Sequence, residues 1–340
     1  MNGRSSVTLD DVAKFAGVSP KTVSRVLNRE PNVRPKTREK VLNAAKELGY
    51  RPNLAARTLA SSKSFTIAHF HNNPDQDYIA RANAGIYRAC REHNYLLIPE
   101  PLAEGSDDIA ARLDAFLNTV RVDGIILTPP LTDDQRLLEL INQRDLPVVA
   151  ISPSADQSSL SSVGIDEKAA AKLMTQYLID LGHQSINFIS GPPDHGAAAA
   201  RGDGFLEAIR EGGLNEKRCS IERGDFSLRS GLTIATKMLD SRDRPSAVFA
   251  ANDAMAVGAM TAAFKLGMSI PDDVSIAGFD ASYIGSVVWP PLTSVKQPIG
   301  RMAETAARWL MTSQLETSPG AIKEVLDFEL VERLSTAQVV

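Results

Sequence analysis

The residues best equipped for chemistry fall into two groups. Lys21, Arg25 and Asn28, spaced i, i+4 and i+7, share one face of a short helical segment. Two cations and an amide set side by side in this way can hold phosphates and read base edges in a DNA major groove. The second group closes apolar runs in the larger part of the chain: Asn252 ends SAVFAAN and Asp280 ends VSIAGFD. An amide that donates and accepts, beside a carboxylate that can serve two neighbouring hydroxyls, suits a crevice for a polar small molecule. Tyr78 and Arg81 open the first helix of that larger part and are expected to face the same crevice. Each also has a structural reading, with Asp280 in a turn and Asn252 as a helix cap.

Three short helices over residues 8–48 must position the first group. Thr8 with Asp11 three residues on is a capping-box pattern, and Leu9, Val12, Ala13 and Ala16 follow at helical spacing until Gly17. Ser19 caps the next helix, with Pro20 at its first position, where a missing N–H costs nothing. Val23, Val26 and Leu27 point inward from it. Pro35 begins a third helix whose Val41, Leu42, Ala45 and Leu48 complete a small core, and Gly49 ends it. Two helices joined through a short turn at Gly17 make a helix-turn-helix signature. Charge agrees: residues 1–63 carry a net +8 and the remainder −12, within an overall −4. A basic head on an acidic body points to a polyanion partner for the head alone.

From Phe65 the pattern becomes short apolar strands alternating with amphipathic helices. FTIAHF, YLLIPE, GIILTP, PVVAIS, SINFIS, the SIERGDF region, SAVFAAND and VSIAGFD read as strands. Helical patterns lie near 79–92, 166–181, 204–211, 253–266 and 299–313. Continuously apolar strands separated by helices imply parallel sheets covered on both faces, and their number implies two sheets in two lobes. A chain of 340 residues, 43% apolar and 23% charged, has the balance of an ordinary globular protein of about two domains. Cys90 and Cys219 read as reduced core thiols. With no signal-peptide core at MNGRSSVTLD and no membrane-length apolar run, a cytoplasmic protein without membrane contact is expected.

Other chemistries lack their motifs. No glycine fingerprint of a dinucleotide site follows a strand, since Gly202-Asp203-Gly204 lacks the third glycine and reads as a helix-entry turn. No phosphate-binding loop and no nucleophile elbow occur in the sequence. His69 and His71 share a strand face, but with Asp194 and His195 they form no metal-ligand spacing. No enzyme, cofactor or metal is therefore expected.

TLDDVAKFAGVSPKTVSRVLN and VRPKTREKVLNAAKELGYRPNLAARTLAS resemble the DNA-binding head and hinge of the lactose-repressor (LacI/GalR) family. DLGHQSINFISGP, FAANDAMAVGAM, SIPDDVSIAGFD and PPLTSVKQP carry the resemblance through the body, which is similar to periplasmic sugar-binding proteins. It implies an α/β chain with a three-helix head over 1–52, a hinge helix and linker over 53–63, and a ligand-sensing, dimerising body over 64–340. One lobe would take about 64–164 and 297–328, the other about 165–296 and 329–340. Pro20, Lys21 and Arg25 would read bases, and Thr22, Ser24 and Asn28 would anchor phosphates. Thr8, Ser19, Tyr50, Asn53, Ala56 and Arg57 would complete the DNA surface. Leu59 would wedge into the minor groove. Arg34 departs from the family's usual cap residue, adding a possible phosphate contact while giving up the cap. Asp280, Asn252 and Arg201 would meet ligand hydroxyls, while Phe226 and Trp289 would stack on its face. Ser152-Pro153 departs from an acidic or Asp-Arg pair common at that place. The resemblance implies a homodimeric repressor on a palindromic operator, released by a saccharide. Purine corepression is the nearest alternative, and a sugar-transport component the alternative of another class.

Overall fold

The computed structural model describes residues 7–27, 32–50, 58, 63–102, 109–154, 159–193, 195–312, 314–318 and 320–339. The chain forms two compact units, residues 1–65 and 66–340.

In the first unit, α1 (Leu9–Ala16), α2 (Pro20–Leu27) and α3 (Pro35–Glu47) enclose a core of Val12, Ala13, Ala16, Val23, Val26, Val41, Ala44 and Ala45. The capping box forms: Thr8 Oγ1 accepts the Asp11 N–H at 3.3 Å and Asp11 Oδ2 accepts the Thr8 N–H at 2.9 Å. Gly17 ends α1 in the left-handed region at φ 60°, where a side chain would be strained. Ser19 Oγ accepts the Thr22 N–H at 3.2 Å, so α2 begins where its Ser-Pro pair places it. Leu42 is a correction: it is 48% exposed, and Ala44 takes the core place. Positions 41, 44, 45 and 48 form one helical stripe, and residue 42 lies about 100° off it.

The second unit holds two six-stranded sheets. One runs in the order β2 (Leu96–Pro101), β1 (Thr66–His71), β3 (Gly124–Leu127), β4 (Val148–Ile151), β5 (Ser162–Gly164), β11 (Lys323–Val325), all parallel. The other runs β7 (Ile221–Arg223), β6 (Ile186–Ser190), β8 (Ala247–Ala250), β9 (Ser275–Phe279), β10 (Thr293–Lys296), β12 (Glu329–Val331). Its last strand alone is antiparallel to its neighbour. The central strands β3, β8 and β9 are buried at every residue, as covered parallel strands must be. The segment 323–331 serves both sheets: β11 joins the first and β12 the second. The chain therefore crosses between the lobes three times, after β5, after β10 and between β11 and β12.

Helices α4 (Gln76–His93), α5 (Ile109–Thr119), α6 (Gln135–Gln143) and α12 (Ile299–Met311) belong to the first lobe. The second holds α7 (Glu167–Asp180), α8 (Gly196–Glu211), α9 (Leu228–Leu239), α10 (Asp253–Lys265) and the short α11 (Tyr283–Val287). Helix α8 begins well before residue 204, because the alanine run 197–200 is helix-forming sequence. Gly202-Asp203-Gly204 thus lies within a helix and not in an entry turn. Gly204 is there for contact, since a Cβ on it would fall 2.1 Å from the Lys168 carbonyl oxygen of α7. Among the described residues, no helix is long and apolar enough to cross a membrane.

Candidate functional site

In the head, α2 buries Val23 and Val26 and leaves Lys21 and Arg25 exposed. Pro20 and Ser19 are also exposed, while Thr22 and Ser24 are half-buried beside them. Six of the expected DNA-facing residues thus lie on or next to one short helix. Thr8 caps α1 and Tyr50 packs under the core. Arg34 precedes α3 without a side-chain cap hydrogen bond, so the cap is given up and its side chain is exposed. Asn28, Asn53, Ala56, Arg57 and Leu59 lie outside the described residues.

In the body, a cleft opens at the carboxyl ends of the strands of both sheets. The first lobe contributes Asn73, Asp75 and Tyr78 after β1, Pro129 after β3 and Ser152 after β4. The second contributes Glu167, His195, Ala197, Arg201, Phe226, Asn252 and Asp280. Five of the seven residues expected at a ligand are therefore brought together. Arg81 stands behind the lining, where its Nη1 donates to the Asp280 carbonyl at 2.9 Å. Trp289 is 75% exposed and does not line the cleft, because α11 and the segment after it carry it outward.

Local sequence explains the placements. Asp75 caps α4, with Oδ1 accepting the N–H groups of Asp77 and Tyr78 at 3.0 and 3.2 Å. Asn252 caps α10 through Oδ1 on the Met255 N–H at 3.0 Å, and its Nδ2 donates to the Phe226 carbonyl at 2.9 Å. The cap and the cleft-lining roles of Asn252 therefore coexist. Phe226 is buried, takes φ 66°, and meets the His195 ring edge-on at 4.8 Å between centroids. Asp280 and Ala281 take φ 100° and 44°, a turn that the chain holds from several sides. Asp253 Oδ2 accepts from the Ser282 hydroxyl at 2.9 Å and its Oδ1 from the Ser294 hydroxyl at 2.6 Å. Gln297 Nε2 donates to Asp280 Oδ1.

The cleft is anionic. Arg201, the one lining cation among the described residues, is buried and paired with Glu167, Nε to Oε2 at 2.9 Å, while its Nη1 donates to the Ala251 carbonyl. Its guanidinium also lies over the Phe279 ring at 3.8 Å. Burial pushes the Asp280 carboxyl up to about 8 against the pull of Arg201. Burial and the Arg201 charge drive the His195 imidazole down to about 3, so it is neutral at pH 7. Glu167 Oε1 and Ser152 Oγ are buried without a hydrogen-bond partner. Glu167, Ser152, Asp75, Asn73 and His195 are cleft residues that the reading of the sequence did not assign. Their signal was available, since each follows the end of a parallel strand.

His69 is buried, with Nδ1 donating to Asn83 Oδ1 at 2.7 Å and Nε2 lying 3.2 Å from Thr128 Oγ1. Burial lowers it to about 4, which suits a satisfied core imidazole. The His71 ring lies 5.3 Å away.

Residues 8–53 match the bacterial regulatory proteins of the lacI family, and residues 175–336 match the periplasmic binding protein-like domain. The chain is 32% identical to a probable HTH-type transcriptional repressor, ExuR, of Bacillus subtilis (strain 168), over 97% of this chain and 100% of that protein. A transcriptional regulator CelR–cellobiose complex superposes with a TM-score of 0.73 at 32% identity, covering 97% of this chain and 99% of the other. The lac repressor dimer bound to operator and the anti-inducer ONPF gives 0.76 at 30% identity, covering 98% and 100%. A head built to present α2, a two-lobed body closed on a polar cleft and end-to-end similarity to DNA-binding repressors agree, and the chain is a transcriptional regulator belonging to the lacI family of bacterial regulatory proteins.

Proposed function

We propose that this chain is a homodimeric repressor whose paired heads hold a palindromic operator, and that a saccharide entering the cleft releases it. One head covers only a half-site, so two are needed. The observation that carries the effector reading is the pair of unpartnered buried oxygens, Glu167 Oε1 and Ser152 Oγ, in a wall that also presents Asp280 and Asn252. A ring of hydroxyls supplies donors and acceptors to all four at once, and the Phe226 ring offers a face for the C–H side of a pyranose. Release follows from linkage. An effector that prefers the DNA-free form a hundredfold shifts the equilibrium by about 2.7 kcal/mol. Acting on operator DNA, the protein works in the cytoplasm.

Thermal melting of the purified protein against saccharides and purines tests this. A binder at a hundred times its Kd stabilises the body by about 2.7 kcal/mol. A saccharide hit that also frees a fluorescent operator supports the reading. A purine hit with every saccharide inert overturns it and points to corepression.

A further inference from the structure

We infer that the effector is an uncharged or amino saccharide, and that the cleft excludes acidic sugars such as uronates and sugar phosphates. The inference rests on the saccharide reading above and adds the charge class. Among the described residues, four ionisable side chains that can carry charge line the cleft: Asp75, Glu167, Asp280 and Arg201. The only cation among them is tied to Glu167 at 2.9 Å, with both side chains almost wholly buried. Asp75 and Asp280 remain. With Asp280 protonated the lining carries about one net negative charge, and with it ionised about two; the sign is the same in either state. Two further titratable side chains of the lining carry no charge at pH 7: His195 is held neutral by burial and by Arg201, and burial pushes the Tyr78 phenol further up.

Helix N-termini are the other usual source of positive potential, and here each is already answered from within. Four helices begin at the cleft. Asp75 caps α4, Asp166 Oδ1 accepts the Ala169 N–H of α7 at 2.9 Å, and Asn252 caps α10. On α8, His195 Nδ1 accepts the Ala198 N–H at 3.4 Å, and the Gly196 N–H is taken by Asp133 of the other lobe at 3.2 Å. Behind the lining, Arg81 is paired with Asp77, Nε to Oδ2 at 2.9 Å, so among the described residues a carboxylate or phosphate would enter a desolvated, negative cavity whose cations are already paired and whose helix starts are capped. Glu167 Oε1 has the opposite need: a buried carboxylate oxygen without a partner calls for a hydroxyl or ammonium donor.

The test is isothermal titration calorimetry of the full chain against matched sets. For glucose and galactose these are the neutral sugar, the 2-amino sugar, the uronate and the 6-phosphate, with cellobiose, lactose and maltose added. The tightest ligand should be neutral or amino, with its acidic counterpart at least tenfold weaker. A uronate or phosphate that binds more tightly than its neutral parent overturns the charge class and leaves the saccharide reading standing. Silence from every neutral and amino sugar overturns the inference, and purine binding in the thermal-melting panel would place the failure in the saccharide reading itself. Glu167→Gln, which frees the Arg201 charge, should raise uronate affinity about tenfold relative to the unmodified protein. Should that variant not fold, the titrations of the unmodified chain still decide.

Discussion

Asn252 Nδ2 donates across the cleft to Asp75 Oδ2 at 3.2 Å, so the residue that caps α10 in one lobe is bonded to the residue that caps α4 in the other. Two helix starts and the closure of the lobes thus share one hydrogen bond. Asn252→Ala removes the cap, the bridge and the donor to the Phe226 carbonyl. The expected loss is about 2–3 kcal/mol, roughly 1 for the cap and the rest for the stranded acceptors. Urea unfolding of the unliganded protein measures it. A loss under 0.5 kcal/mol would show that the bond is not held in solution.

Asp280 makes stability depend on pH in a defined direction. Its carboxyl sits at about 8 in the folded protein against an ordinary 3.8, so between those values the folded state keeps a proton that the unfolded chain releases. Stability from this group is present at the acidic end of the window and is lost as pH rises toward 8. Asp253, raised to about 6 by burial, acts with the same sign over a shorter span. His195, held down to about 3, acts oppositely below its ordinary value of 6.5, and equally in both proteins of the comparison. Asp280→Asn should therefore flatten the fall between pH 5 and 8, by a slope difference of at most about 1.4 kcal/mol per pH unit. Chemical denaturation at several pH values reads it, and parallel profiles would contradict the assignment.

Arg25 is exposed on α2, one turn from Lys21, with the fork geometry that suits a guanine edge. Arg25→Ala should cost about 1–3 kcal/mol on the specific operator and little on random DNA. Fluorescence anisotropy at fixed salt separates the two. Equal losses on both would make Arg25 a phosphate contact.

Arg34 leaves the start of α3 uncapped. Arg34→Ser should restore a side-chain acceptor and stabilise that helix by about 1 kcal/mol, slowing amide exchange over residues 36–47 about fivefold. The same change should weaken DNA binding if the arginine holds a phosphate. Unchanged exchange would mean that the backbone before Pro35 is not free to adopt the cap geometry.

Much of this architecture was legible because the periodicities are strong. The stripe Val12, Ala13, Ala16 and the buried strands β3, β8 and β9 announce themselves by spacing alone. Leu42 has the side chain of a core residue, yet its helical phase sets it off the stripe and leaves it exposed. The cleft was half legible. Asn252 and Asp280 stand at the ends of long apolar runs, whereas Asp75 and Glu167 open helices and read simply as an N-cap and a first-turn acid. Only the packing of two lobes turns those helix starts toward one cavity. Trp289 has the right residue type for stacking, yet nothing local in the sequence tells that its segment turns outward.

The three crossings between the lobes also bear on how such a protein can diversify. Neither lobe is one stretch of chain: the first is completed by α12 and β11, which are encoded after almost all of the second. A single genetic recombination cannot exchange one lobe for a relative's without splitting the other. New effector preferences in this architecture would accumulate by point changes at strand ends, while the head, one uninterrupted segment, can be traded whole.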